Sequence, residues 1–404
     1  MDKGQIPAIL CNWVRVESVR KRECLFPGDI ISMLNESGEN HARNSHDATL
    51  KVRQAGLLWL LFFLICLGLG YAPLNRYDPG QASGTSDADQ YRDIVSGRKS
   101  HRPGVGTGAL ARLGQQENYY RILVPYVAKP FYWLANGRVG TWDPALFGLL
   151  VANSMFTATT ACLLVTIGLY LALDFSTALL GATLFLLNFS IANLNLVGLV
   201  DSAEGCFLLI TVWSLLTGRW FLLPLWGILG ALAKETFAPL SVMFAFGWWI
   251  SEVRPDRLQL HRLAWICGLG VAGLTTVTLA MSAVAGGLVW PWQFAASMRA
   301  SSNFLAGLRG CLLDRTFWYP FIWLLPLGVL RVRRLPRPWV LATVVAFSGA
   351  LVLGAYNNAG GNTARALFNV AGPLLSLSVA IFLTGPKKLD TVTPHRQTPT
   401  ELTP

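Results

Sequence analysis

The sequence predicts an all-α polytopic membrane protein of about ten transmembrane helices, with interfacial helices in a long first extracytoplasmic loop. Three observations predict it. The 404-residue chain is 53% hydrophobic and only 14% charged, where soluble domains carry about 25% charged residues. Its apolar runs approach the roughly 20 residues needed to cross a bilayer. Its Lys and Arg residues recur in short clusters between those runs, as orientation signals do. A net charge of +11 spread in this way forms no single solvated patch, which excludes a nucleic-acid partner.

The runs read as spans cover 55–74, 145–172, 175–194, 203–218, 220–234, 237–252, 263–287, 316–331, 338–355 and 366–385. Several are shorter than the usual range of about 17 to 25 residues, so their ends must recruit flanking residues or thin the bilayer. With Lys51 and Arg53 placed in the cytoplasm, Arg219, then Arg254, Arg257 and Arg262, then Arg331, Arg333, Arg334 and Arg337, then Lys387 and Lys388 fall on the same side. Residues 75–144, 195–202, 288–315 and 356–365 are then outside. Both termini are expected in the cytoplasm, with the chain in a bacterial inner (plasma) membrane.

The domains follow. Residues 1–54 read as a polar cytoplasmic segment without a fold of its own, with Met33 an alternative start. Residues 55–385 form the transmembrane domain, and 386–404 a Pro- and Thr-rich tail expected to be disordered. No signal peptide precedes the first apolar run, which begins near Ala55. The seven Cys are scattered, with no Cys-x-x-Cys and no His cluster at metal-ligand spacing, and read as small core residues.

The outer loop 75–144 is too long to be a bare connection. Within it, "SDADQYRDIVSG" (86–97) opens like a capping box through Ser86 and Asp89 and carries an apolar stripe of Tyr91, Ile94 and Val95. Asp87 and Tyr91 stand four apart on one helix face, while Asp89 and Asp93 share a neighbouring one. "YYRILVPYVAKPFYWLANG" (119–137), with Arg121, suits an interfacial helix that Pro125 and Pro130 are expected to kink or restart. The "PGVGTG" between them follows no strand and reads as a flexible link, and "WPWQF" (290–294) as an aromatic belt.

Ionisable residues at membrane depth are costly and mark sites. Asp201 opens an apolar helix, Lys234 and Glu235 sit in "GALAKETFAP" (230–239), and Arg365 lies in "GGNTARALFNVAGPLL" (360–375). Arg suits a phosphate because its planar fork donates two hydrogen bonds. The bland readings are a solvated helix start for the acids, a hairpin turn for Lys234 and Glu235, and snorkelling to headgroups for Arg365. No Gly-x-Ser-x-Gly elbow, His-Glu-x-x-His helix or Walker loop is present, which disfavours serine hydrolysis, zinc proteolysis and nucleotide hydrolysis.

In layout and motif order these residues resemble the GT-C superfamily of integral-membrane glycosyltransferases, which includes the protein O-mannosyltransferases and aminoarabinose transferases. "DADQYRDIV" (87–95) resembles that family's Asp-x-x-x-Tyr-x-x-Ile-Ala pattern, with Val95 in place of Ala. "YRILVPYVAKP" (120–130) resembles its Arg-x-Leu-x-Pro stretch, and "AKETF" (233–237) its Lys-Glu-Thr segment. The resemblance implies transfer of a sugar from a polyprenyl-phosphate donor to an extracytoplasmic lipid, glycan or protein. Asp87 or Asp89 would be the catalytic base, and Tyr91, Arg121, Asp201, Lys234, Glu235 and Arg365 would bind substrate. Asp-Ala-Asp stands where other branches have Asp-Glu or Glu, which leaves the choice of base and any need for a metal open.

The chemistry itself asks for a base on the acceptor hydroxyl and cations at the departing phosphate, and for no cofactor; neither Mg nor Mn is indicated. A single displacement inverts the anomeric carbon. Asp87 is expected to be the base, Asp89 to serve the helix cap, and Asp87, Lys234 and Arg365 to converge on one outer cavity. The alternative is a multi-spanning transporter or flippase in which Lys234, Glu235 and Arg365 line a pathway, although no internal repeat accompanies it.

Overall fold

The computed structural model describes residues 51–75, 86–97, 109–110, 113, 118–138, 140, 142–196, 198–252, 259–293, 303–357 and 360–385. The polar segment before Lys51, the "PGVGTG" link, Arg254, Arg257, Phe294 and the tail from Pro386 lie outside the described residues. Every described residue belongs to one compact unit, Thr49–Pro404.

The chain is an all-α membrane protein. Its helices are α1 (Val52–Leu74), α2 (Ser86–Ser96), α3 (Leu123–Ala135), α4 (Pro144–Tyr170), α5 (Phe175–Leu186), α6 (Asp201–Leu216), α7 (Leu223–Ala233), α8 (Phe237–Glu252), α9 (Leu260–Ala285), α10 (Phe304–Leu313), α11 (Arg315–Val329), α12 (Arg337–Asn357) and α13 (Gly360–Thr384). Five of them are long and apolar enough to cross a membrane: α1, α4, α9, α12 and, from Asn362, α13. The most apolar stretch of α13 is 89% buried and that of α4 67%, against 28% in α1 and α9. α13 and α4 are therefore the core of the bundle. α1 turns Leu57, Leu60, Leu61 and Leu64 outward, an apolar face suited to lipid and not to water.

Local chemistry sets the helix boundaries. α1 begins three residues before its apolar run because the Gln54 side chain accepts the Lys51 N–H at 3.2 Å. α4 starts at Pro144, where a missing N–H costs nothing, and Asp143 accepts from the N–H groups of Ala145 and Leu146 at 2.9 and 3.1 Å. α3 is continuous where Pro125 and Pro130 were expected to interrupt it. Pro125 lies in its first turn, where N–H groups have no helical partner anyway, so only Pro130 deletes an interior bond.

Two stretches differ from the sequence reading. The run 175–194 stops as an α-helix at Leu186 and resumes as a π-helical turn, Ile191–Asn195. The backbone just after this turn is held from outside by Asn153, whose Nδ2 donates to the carbonyls of Leu196 and Leu199 at 3.3 and 2.8 Å. The outer stretch 288–315, read as a loop, contains α10. A Cβ at Gly307 would fall 2.0 Å from the Ala355 carbonyl oxygen, so the helix docks on α12 only because that residue is glycine. Trp290 and Trp292 in the same stretch stack at 4.8 Å, both exposed.

Inter-helix contacts show which ends lie together. Trp59 donates to Thr159 at 3.0 Å, and Trp142 donates to Asn75 at 2.8 Å, so α1 and α4 are antiparallel. Tyr170 donates to the Leu216 carbonyl, Thr177 to Thr384 and Ser378 to the Gly328 carbonyl. The guanidinium of Arg262 pairs with Glu252 and lies 4.9 Å above the Trp220 ring. Lys51, Arg219, Arg262 and the Arg331–Arg337 cluster consequently share one end of the bundle. Asn75, Asp143, Asp201 and Lys234 share the other.

Candidate functional site

At that second end two networks of charged and polar side chains are joined by one turn. The first is built on α6. Asp201 and Glu204 stand three apart on its opening turn, 1% and 0% exposed, and both face the turn between α7 and α8. Lys234 Nζ lies 2.5 Å from Asp201 Oδ1 and 3.4 Å from Glu204 Oε2. From α13, Arg365 Nη1 donates to Asp201 Oδ2 at 2.8 Å and Nη2 donates to Asn362 Oδ1. One turn on, Asn369 Nδ2 donates to Glu204 Oε2 at 2.9 Å and to the Asp201 carbonyl at 3.2 Å. Thr236 Oγ1 closes the set by donating to Glu204 Oε1.

The second network runs through the outer loop. Arg121 grips Glu235 with Nε at 2.7 Å and Nη2 at 2.5 Å, a two-pronged pair, and its Nη1 donates to the Tyr91 hydroxyl at 2.9 Å. Tyr91 donates to Asn118 Oδ1 at 3.4 Å, and Asn118 Nδ2 donates to Asp87 Oδ1 at 3.0 Å. The chain of donors thus runs one way, from a guanidinium to a carboxylate. Burial pushes the Tyr91 phenol well above its ordinary value, more than Arg121 pulls it down, so the hydroxyl keeps the proton it donates. Burial alone would raise the Glu235 carboxyl, but the Arg121 guanidinium holds it below its usual value.

Backbone conformation explains how one short turn serves both. Lys234 ends α7 in an extended conformation, φ −161° and ψ 137°. The chain then turns, with the Phe237 N–H donating to the Lys234 carbonyl at 3.1 Å, and this turn sends Lys234 and Thr236 to Glu204 and Glu235 to Arg121.

α2 is seated by Ala88, Tyr91 and Val95, each 2% exposed or less and spaced for one helix face. Gly198 faces it at φ +81°, and a Cβ there would meet the Ala88 methyl at 2.8 Å. Only glycine satisfies both the backbone and the space. On the neighbouring face Asp89 lies 3.6 Å from Arg92, which reaches Asp143 at 3.7 Å. Asp89 therefore belongs to an ion-pair chain onto the start of α4, and Asp87 to the network with Tyr91.

All eight residues singled out in the sequence lie at this end of the bundle. Seven join the two networks, and Asp89 stands beside them. Asp87 is separated from Lys234 and Arg365 by the links through Asn118, Tyr91, Arg121 and Glu235. Glu204, Asn369, Asn118 and Thr236 were not anticipated. Glu204 follows Asp201 at i+3 and Asn369 follows Arg365 at i+4, spacings that put each pair on one helix face. Among the described residues no group of three His, Cys, Asp or Glu side chains is placed to hold a metal ion. No protein-family model, no curated protein and no solved structure matches the chain.

Proposed function

We propose that this protein is a GT-C-like membrane glycosyltransferase. It would move a sugar from a polyprenyl-phosphate donor to an extracytoplasmic lipid, glycan or protein acceptor in building the cell envelope, with inversion and without a cofactor. The observation that carries the reading is the directed hydrogen-bond chain from Arg121 through Tyr91 and Asn118 to Asp87. It fixes one carboxylate oxygen; among the described residues the other, Oδ2, has no protein partner and is available to an acceptor hydroxyl. Asp87 is the general base, and Asp89, tied to Arg92, supports the helix start. Arg365 meets the leaving phosphate, while Lys234 acts from behind through Asp201.

In this reading the five long helices and the shorter apolar ones together make ten spans of a bacterial inner membrane. Both termini are cytoplasmic, and the Asp87 end is extracytoplasmic. The buried cluster of Asp201, Glu204 and Lys234, its charges compensated inside the protein, is the observation that favours the rival transporter reading.

Mass spectrometry of surface glycans and lipids from cells lacking the protein separates the two. Loss of one defined sugar with accumulation of its lipid-linked donor supports the enzyme. An unchanged glycan profile with altered solute uptake supports the transporter. In cells complemented with variants, Asp87→Asn should lower transfer by about 100- to 10,000-fold, the usual worth of base catalysis. Full activity in that variant removes base catalysis from this loop.

A further inference from the structure

The three cations at the site are not held alike. Arg121 gives two nitrogens to one carboxylate and a third to Tyr91. Lys234 sits between two carboxylates and has 5% of its side chain exposed. Arg365 has one oxygen of a shared carboxylate on Nη1 and the neutral amide of an exposed residue, Asn362, on Nη2. An arginine can take a phosphate in two-pronged fashion only when its fork is vacant. Here the fork is occupied by two protein acceptors, and one of them is the weakest kind of partner in the cluster.

We infer that Asp201 and Asn362 form a latch on Arg365 that a phosphate monoester opens by exchange, with Lys234 remaining behind as the counter-ion of Asp201. This rests on the proposed function only for the identity of the ligand. The physical requirement for such an exchange is that the carboxylate left behind keeps a partner, because an uncompensated buried charge is strongly destabilising. Asp201 meets it. Its Oδ1 stays on Lys234 at 2.5 Å when Oδ2 gives up Arg365, and its backbone carbonyl stays on Asn369. Lys234 cannot make the same move, since its departure would remove the cation shared by Asp201 and Glu204. Arg121 cannot either, because it would strand Glu235 and break the chain to Asp87.

The latch makes a prediction opposite in sign to that of a carboxylate that merely positions the arginine. A positioning acid, once removed, weakens anion binding; a competing acid, once removed, strengthens it. The full chain in phosphatidylcholine nanodiscs is titrated with farnesyl phosphate as a short-chain probe, and separately with inorganic phosphate. Asp201→Asn should tighten binding about tenfold, and Asn362→Ala about threefold, as competing hydrogen bonds to a charged group are removed. Arg365→Ala should lose the binding in both backgrounds. Asn362→Ala alters an exposed side chain, so it reports on the latch even if Asp201→Asn compromises the buried cluster.

Tightening with farnesyl phosphate alone identifies a lipid-borne phosphate; tightening with inorganic phosphate as well identifies the phosphate group itself, and both support the latch. Weaker binding in Asn362→Ala and Asp201→Asn overturns it, as does wild-type binding that survives Arg365→Ala. Because the titration needs no sugar transfer, a chain that binds and tightens as stated but transfers nothing refutes the glycosyltransferase reading and leaves the latch standing. A chain that transfers sugar while both variants bind more weakly does the reverse.

Discussion

Replacing Lys234 by Met tests the buried cluster without reference to any activity. The side chain keeps its length and loses its charge. In the native protein its ammonium lies between Asp201 and Glu204, at 2.5 and 3.4 Å, and neither residue is more than 1% exposed. Removing one partner of a buried ion pair costs about 3 to 5 kcal/mol, because the other charge stays behind. Both acids retain a partner here, Asp201 through Arg365 and Glu204 through Asn369 and Thr236. The loss should therefore lie near the lower limit, about 3 kcal/mol. At about 1 °C per kcal/mol for a chain of this size, Tm falls by roughly 3 to 4 °C.

The assay is thermal unfolding of the detergent-solubilised chain, followed by tryptophan fluorescence. The stronger test adds Glu204→Gln. With Lys234→Met alone the cluster of Asp201, Glu204 and Arg365 carries one excess negative charge; the second substitution removes it. The double variant should recover about 1 to 3 kcal/mol over the single one, a coupling typical of residues in contact. A double variant as unstable as the sum of the two single changes would refute charge compensation as the reason for this cluster.

Asp89→Asn, measured beside Asp87→Asn, should cost only local helix stability, about 0.5 to 2 kcal/mol, and leave transfer within a few-fold of wild type; a dead Asp89→Asn with an active Asp87→Asn exchanges their roles. Tyr91→Phe breaks the chain between Arg121 and Asn118 and should lower the transfer rate about tenfold, with a Tm change under about 3 °C in the same unfolding assay. Arg365→Lys keeps the charge and loses the fork, so transfer should fall substantially in both Arg365→Lys and Arg365→Ala; full activity in both returns Arg365 to a headgroup contact. The Arg121–Glu235 pair holds the folded-state pKa of Glu235 below its ordinary 4.5. Its contribution is therefore complete above about pH 4.5 and is lost as pH falls through the lower folded value. Glu235→Gln should flatten the pH dependence of Tm below about pH 4.5, and an unchanged acid limb refutes the pairing.

Much of this site was legible because hydrophobic periodicity and charge scarcity are properties of the chain itself. Asp87 and Tyr91 at four-residue spacing predicted a shared face, and the two side chains do meet, at Asn118. The basic clusters predicted a common end, and the described ones share it. What could not be read are the features set by packing. Glu204 lies in the opening of an apolar helix beside a more conspicuous acid, and only the fold brings Lys234, Thr236 and Asn369 around it. "LAKET" continues a helical composition, so nothing in it announces the extended Lys234 that divides the turn between two networks. The break after Leu186 was hidden because the residues that follow remain apolar; Asn188, at the break, is tied to the Pro320 carbonyl, far away in sequence.

The concentration of charge at one end of so apolar a chain has a physical consequence whichever substrate is involved. Arg121, Lys234 and Arg365 already have protein acceptors, and the three acids on α6 and in the α7–α8 turn are likewise occupied. A neutral ligand has no means of displacing such partners, since it returns nothing for the ion pair it breaks. An anion does, provided the acid it displaces keeps a second cation, and Asp201 is the carboxylate here with two. Asp87 is different in kind: its partner is a neutral amide, at the end of a chain that begins on Arg121. Among the described residues the site thus separates a carboxylate with no cation partner from an arginine that, in the inference above, an anion can win. That is the division of labour a displacement at a phosphate-linked carbon requires, with the base on one side and the leaving group's cation on the other.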